Sequence, residues 1–300
     1  MMRIPILFLS MLLSSMVMAQ QEAQYSLFFM NDYVINPATA GIREQLELRS
    51  VNRYQWEGIT DAPRTYSLSL TAPLAEGNMG IGMSLFTDIL GPTRRIGIQG
   101  SYAYRIPLNS TTTLGFGISV GMLEYTIDAD KIQLARADDP ALGNFTRSTK
   151  VVDAKFGLLI RGSNYYAGLS IPQMSQSNLD IYNSASAGSS ALVSHFLLAG
   201  GYEYDLNEDF TLEPNLLFKF VSPVPLKVDA TIRAMYRDMV WLGGGFRNND
   251  AFTAMVGVKW NNKIHIAYAH DFTTTDLSGY TNGTHEIMLG IDLPDPRAAN

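Results

Sequence analysis

From Gly41 onward the chain alternates apolar and polar residues with a period of two. Tyr66, Leu68 and Leu70 are interleaved with Thr65, Ser67, Ser69 and Thr71, and Ile81, Met83 and Leu85 with Gly80, Gly82 and Ser84. Leu114, Phe116, Ile118, Val120 and Met122 oppose Gly115, Gly117, Ser119 and Gly121, while Val228, Ala230, Ile232 and Ala234 oppose Lys227, Asp229, Thr231 and Arg233. Successive side chains of a strand point to opposite faces, so each run predicts a strand with one apolar face. About fourteen such runs begin near residues 43, 64, 78, 94, 112, 151, 164, 191, 209, 226, 239, 252, 262 and 283. Turn residues separate them, among them Glu76-Gly77-Asn78, Gly91-Pro92, Gly162-Ser163-Asn164, Asn248-Asn249-Asp250 and Asn261-Asn262.

Strands joined by two or three residues are antiparallel neighbours, which predicts an up-and-down meander. Longer connections fall at 57–63, 86–93, 125–150, 173–190 and 273–282, with a short helical turn expected within 128–141 and a Ser/Ala/Gly-rich loop at 175–190. Short turns at one end and long loops at the other fit an all-β transmembrane antiparallel barrel of about 14 strands.

Alternation does not say which face is wet, because a soluble sandwich and a membrane barrel both alternate. Composition separates them. Of the 300 residues 46% are hydrophobic and only 17% charged, with a net charge of −6, against about 25% charged in an ordinary soluble domain. The second face is largely Gly, Ser, Thr and Ala with sparse charge, which suits a crowded lumen. Tyr102, Tyr104, Tyr202, Tyr204, Trp241, Trp260 and Tyr268 lie near strand ends, where interface girdles form.

The N-terminus adds the compartment. Residues 1–19 combine Arg3, an apolar run from Ile4 to Val17 and the small-x-small site Val17-Met18-Ala19, which together predict a cleaved signal peptide. The predicted organisation is a signal peptide (1–19), an N-terminal lead-in (20–42), the barrel (43–293) and a short tail (294–300). The lead-in carries Tyr25, Leu27, Phe28, Phe29, Met30, Tyr33, Val34 and Ile35. It is too apolar for a loose tail, so it is expected to plug the lumen or the periplasmic mouth.

Candidate chemistry is sparse. There is no cysteine, which removes disulfides, thiolate metal sites and thiol nucleophiles. His195, His265, His270 and His285 have no metal or triad spacing, and His265 and His270 point to opposite faces of one strand. Asp138-Asp139, Asp205, Glu208, Asp209 and Asp250 read as turn formers rather than as a calcium loop. No enzyme, metal or cofactor is expected, and the acidic balance argues against nucleic acid. Two sets of lumen charges stand out, Arg43, Glu47, Arg49 and Arg53 on the first strand, and Lys227, Asp229 and Arg233 on another. Paired, they would brace the lumen and hold the lead-in; as a passage for solute they would be left open to it.

An ordered set of segments resembles the PorP/SprF family of type IX secretion system outer-membrane proteins. It comprises Gln24-Tyr25-Ser26, Asn36-Pro37-Ala38-Thr39-Ala40-Gly41, Arg53-Tyr54-Gln55-Trp56, Ala62-Pro63-Arg64-Thr65, Asp88-Ile89-Leu90-Gly91-Pro92, Gly168-Leu169-Ser170-Ile171-Pro172-Gln173, His195 to Tyr202, Pro223-Val224-Pro225-Leu226 and His285-Glu286-Ile287-Met288-Leu289. The resemblance implies a non-enzymatic barrel in the outer membrane of a Gram-negative bacterium, in contact with outer-membrane lipid. It further implies a role in secreting or surface-anchoring cargo with a C-terminal sorting domain, gliding-motility adhesins included, together with other type IX components and a periplasmic peptidoglycan-associated protein. The alternative is a porin or hydrophobic-solute transporter. Asn36, Pro37, Ala38, Gly41, Arg53, Trp56, Pro63, Gly91, Pro92, His285 and Glu286 are motif positions to which the resemblance gives no contact role. Their expected work is structural, Asn36-Pro37 setting a turn and Gly41 supplying an unusual backbone angle.

Overall fold

A computed structural model describes residues 23–43, 45–74, 77–132, 147–179 and 190–294. The predicted signal peptide, Asp138-Asp139 and residues 295–300 lie outside them. Fourteen antiparallel strands follow one another around a closed barrel. They are β1 (Gln45–Tyr54), β2 (Arg64–Leu74), β3 (Met79–Leu90), β4 (Thr93–Pro107), β5 (Thr113–Ile127), β6 (Arg147–Arg161) and β7 (Tyr165–Ile171), continuing with β8 (Phe196–Tyr202), β9 (Phe210–Val221), β10 (Val224–Tyr236), β11 (Val240–Arg247), β12 (Ala251–Trp260), β13 (Ile264–Thr273) and β14 (Thr284–Pro294). Each pairs with its sequence neighbour, and β1 pairs with β14 from Gln45 opposite Pro294 to Tyr54 opposite His285, so the sheet closes on itself.

The barrel is inside out relative to a soluble domain. Leu70, Met83, Ile98, Val120, Ile232, Val256 and Leu289 face outward, and Leu242 is 68% exposed. Ser69, Gln99, Ser101, Asp153, Asp229, Asp271 and Glu286 are buried inside. A predominantly apolar exterior of this extent has no stable place in water, so this surface faces lipid. Tyr104, Tyr202, Tyr204 and Trp260 ring one end of the exterior and Phe246, Phe252 and Phe272 the other. Trp241 departs from the expected girdle. It is 3% exposed, lies in phase with the buried Arg247 three repeats of the pleat along β11, and points into the lumen.

The connections at 55–63, 128–146, 172–195 and 274–283 share one end, and those at the other end are no longer than residues 203–209. Within 128–146 a short 3-10 turn occupies Ala129–Lys131. The expected loop at 86–93 is instead strand up to Leu90, with only Gly91-Pro92 between β3 and β4. Its Asp88 is an inward residue, accepting a hydrogen bond from Thr65 Oγ1 at 2.6 Å, and a charge pointing into a polar lumen does not end a strand. Similarly β6 starts at Arg147 rather than 151, because Ser148 bonds the Glu124 carboxylate of β5 at 2.7 Å and carries the pair of strands onward. β8 starts at Phe196 rather than 191, since Ser190–Ala191 pairs with Asn178–Leu179 in a separate ribbon. β14 takes in Pro294, which stands opposite Gln45.

The lead-in runs through the lumen as three 3-10 turns, Phe28–Met30, Asp32–Val34 and Pro37–Thr39. Leu27, Phe28, Phe29, Met30 and Ile35 pack on Val51, Leu197, Leu217, Trp241, Met255 and Met288, so the hydrophobic core of the protein is the contact between this segment and one side of the barrel wall. The opposite wall is largely polar or glycine, with smaller apolar contacts at Ala103, which packs with Tyr33 and Ala40, and at Leu123, which packs with Leu192 and Phe86. A Cβ built on Gly117 would overlap the backbone of Pro37 and Ala38, which is why β5 presents glycine where the segment passes.

Candidate functional site

The lumen holds two ion-pair clusters that both engage the lead-in. At the long-loop end Arg53 of β1 bonds Asp271 at 2.7 Å and Glu286 at 2.8 Å. Arg247 bonds Asp229 at 2.8 Å and Asp271 at 3.2 Å, and Lys219 reaches Asp229 at 2.7 Å. These side chains stand on β1, β9, β10, β11, β13 and β14, so the cluster ties together strands that are distant in sequence. Ser26 sits at its centre. Its hydroxyl donates to Asp271 at 2.8 Å and accepts from Arg53 at 2.9 Å and Arg247 at 3.1 Å. The Glu286 carboxylate accepts the backbone N–H of Ser26 at 2.8 Å and of Leu27 at 2.9 Å. Glu286 is 0% and Arg53 1% exposed. Ions buried that deeply are tolerable only when paired, as Arg53 and Glu286 are here with each other, with Asp271 and with Ser26.

The second cluster lies toward the short-turn end. Arg43 bonds Asp32 at 3.2 Å and Glu47 at 3.1 Å, and Arg49 bonds Glu47 at 2.7 Å and Asp292 at 2.6 Å. Asp32, followed by Glu47, holds the Arg43 guanidinium pKa above its usual value. Arg233 pairs with Glu213 at 2.7 Å and stacks between the rings of Phe29 at 5.0 Å and Trp241 at 5.4 Å. The sequence grouping of Lys227, Asp229 and Arg233 does not hold as a unit. Asp229 pairs with Lys219 and Arg247, Arg233 belongs to the other cluster, and the Lys227 amine reaches the Asn249 carbonyl at 3.5 Å. In the register of β9 and β10, Lys219 stands opposite Lys227, so both share the inward face with Asp229, and it is Lys219 that reaches the Asp229 carboxylate.

The motif positions fall in three places. Asn36 spans the gap between lead-in and wall, its amide donating to the Leu158 carbonyl at 2.8 Å while its Oδ1 accepts the Ala38 N–H at 2.9 Å and caps the turn begun by Pro37. Gly41 takes φ +60°, and its carbonyl and that of Ala40 each accept from Arg105 at 2.8 Å. Trp56, Pro63, Gly91, Pro92 and His285 gather at the long-loop end. There the Trp56 N–H donates to Thr284 Oγ1 at 3.1 Å, the Gln55 N–H to the Pro63 carbonyl at 2.9 Å and the Gly91 N–H to the Asp61 carbonyl at 3.1 Å. His285 bridges Tyr268 at 2.6 Å and Glu57 at 2.9 Å on the outer face. Arg53 and Glu286 belong to the long-loop-end cluster around Ser26.

Arg247, Asp271, Lys219, Glu213 and Arg105 were not singled out by sequence. Their signal is phase, since Arg247 and Asp271 alternate in step with the inward residues of their own strands. Among the described residues no group of three or more His, Cys, Asp or Glu is placed to hold a metal ion. The lumen acids are taken up by Arg, Lys and the lead-in, and His265 is held by Asp292 at 2.7 Å. Asp209 pairs with Arg237 and Asp250 with Arg247.

Residues 17–291 match the family described as type IX secretion system membrane protein PorP/SprF. Among solved structures, the Pseudomonas putida toluene transporter TodX is similar at 12% identity and a TM-score of 0.50, covering 87% of this chain and 92% of that one. The CymD monoaromatic hydrocarbon channel is similar at 12% identity and a TM-score of 0.49, covering 92% of this chain and 94% of that one. Such identities speak to the fold alone. No curated protein matches the chain. The family match runs from ahead of the lumen segment through β13 and into β14, taking in the whole of both ion-pair clusters but the last carboxylate, and the chain belongs to the PorP/SprF family of type IX secretion system membrane proteins.

Proposed function

We propose that this chain is a non-enzymatic outer-membrane barrel that serves the type IX system as a docking and retention component, helping to secrete or surface-anchor cargo that carries a C-terminal sorting domain. The observation that carries the reading is the capture of the Ser26 and Leu27 N–H groups by Glu286. A conduit needs a lumen whose polar groups are free for solute, whereas here they are spent on a segment of the chain itself. With the lumen committed, recognition falls to the loops at 55–63, 128–146, 172–195 and 274–283 and to the mouths of the barrel. The short-turn mouth, a polar vestibule of about 380 Å³ lined by Arg161, Glu203 and Asp238 among others, is available to a periplasmic component.

The test is to purify the tagged protein from outer membranes in mild detergent, identify what accompanies it, and delete its gene. Recovery of a large protein through its C-terminal domain, with loss of that protein from the cell surface on deletion, is the expected result. Barrel alone, together with a solute-uptake defect and undisturbed cargo on deletion, would replace this reading with that of a transporter.

A further inference from the structure

The lumen segment has a direction. Ser26 is held by Arg53, Arg247, Asp271 and Glu286, and each lies within two residues of the long-loop end of its strand. Gly41 is held by Arg105, which lies two residues from the short-turn end of β4. Between them Tyr33 meets Ser101 in mid-barrel at 2.7 Å. Fifteen steps of chain, at the roughly 2 Å rise of a 3-10 turn, cover about 30 Å, enough to cross an apolar band of about 25 Å once and not enough to cross it and return. The segment makes a single pass.

The residues ahead of Ser26 continue toward the long loops. Ala23, Gln24 and Tyr25 line a cavity of about 120 Å³ together with Gln173, His195, Ser222 and Pro225, all of which belong to connections or strand ends on that side. The exit is therefore opposite to the one used by Gly41 and β1.

We infer that the chain enters its own barrel from the long-loop end, so that Ala23–Tyr25 form part of that end of the molecule, beside the loops proposed above to dock cargo. Which end of the barrel they occupy is independent of the proposed function. That this end is the cell surface rests on the outer-membrane reading, in which long loops lie outside and short turns face the periplasm.

An epitope inserted between Glu22 and Ala23 of the full-length chain tests this in intact cells, whose outer membrane excludes antibody. The same epitope beside Tyr280, in the 274–283 loop, and between Asn261 and Asn262, in a short turn, marks the two ends. The expected result is that the leading epitope and the Tyr280 epitope bind antibody on intact cells, with the Asn261/Asn262 signal absent until the membrane is permeabilised. A leading epitope that behaves like the Asn261/Asn262 one overturns the inference. If the two markers themselves exchange behaviour, the orientation fails, and the inference still requires the leading epitope to follow Tyr280. Where the insertion prevents folding, the cysteine-free chain offers a second route. Gln24→Cys with Lys227→Cys, which line one cavity, should cross-link with a short bismaleimide in the detergent-folded protein, and Gln24→Cys with Asn262→Cys should not. The reverse pattern overturns the inference.

Discussion

Arg53 and Glu286 stand opposite each other in the register of β1 and β14, the two strands whose pairing closes the barrel, and their side chains meet at 2.8 Å. Both also hold Ser26, Arg53 through the hydroxyl and Glu286 through the backbone. The seam of the barrel and the anchor of the lumen segment are thus one cluster, and closing the barrel and filling it are coupled.

Glu286→Gln should destabilise the folded barrel by about 3–5 kcal/mol, because it leaves Arg53 buried beside an incomplete partner. Arg53→Gln should cost a similar amount, and the double variant less than the sum, since the two share their partners. The midpoint of unfolding, read from the heat-modifiable gel shift and from urea titration in detergent, measures all three. Strict additivity would contradict the coupling.

Gly41→Val should sharply reduce assembled barrel. A β-branched residue resists φ +60°, and a Cβ there would overlap the carbonyl of Ala72 in β2. Heat-modifiable protein at normal levels would remove Gly41 from this role.

Trp241→Ala and Trp260→Ala separate lumen from lipid. Trp241 packs edge-on against Phe29 at 6.0 Å and lies under Arg233, and its loss should cost about 3–5 kcal/mol. Trp260 is 58% exposed on the outside, and its loss should change unfolding far less. Equal effects would place Trp241 in the girdle after all.

Much of this was legible beforehand, for a physical reason. Period two survives because lipid demands apolar residues on every second position, so fourteen strands and the outward Leu, Ile and Val can be read directly. Asp88 misleads because charge marks loops in soluble proteins, whereas in a filled lumen it marks the inside. Trp241 misleads when its place along the strand is weighed above its phase. The partners of Ser26 are invisible to any local pattern, since Arg53, Arg247, Asp271 and Glu286 come together only when the barrel closes. The pairing of Asp229 with Lys219 rather than Lys227 depends on which of two opposed lysines on one face reaches the carboxylate across the strands, and alternation within one strand does not settle that.

Val120→Lys tests the membrane face. Val120 lies near the middle of β5 with its side chain outward, where a lysine should cost about 2–4 kcal/mol in a bilayer. The comparison is unfolding in vesicles against the wild type. No cost in lipid would contradict the placement of this face.

The most direct measurement is planar-bilayer conductance of the purified full-length barrel, beside a variant lacking residues 23–35 that is shown by heat modifiability to fold. A lumen filled and clamped by Arg53, Asp271 and Glu286 predicts a silent wild type and a conducting deletion. Steady conductance by the wild type, unchanged when the segment is removed, would mean that the segment does not close this barrel.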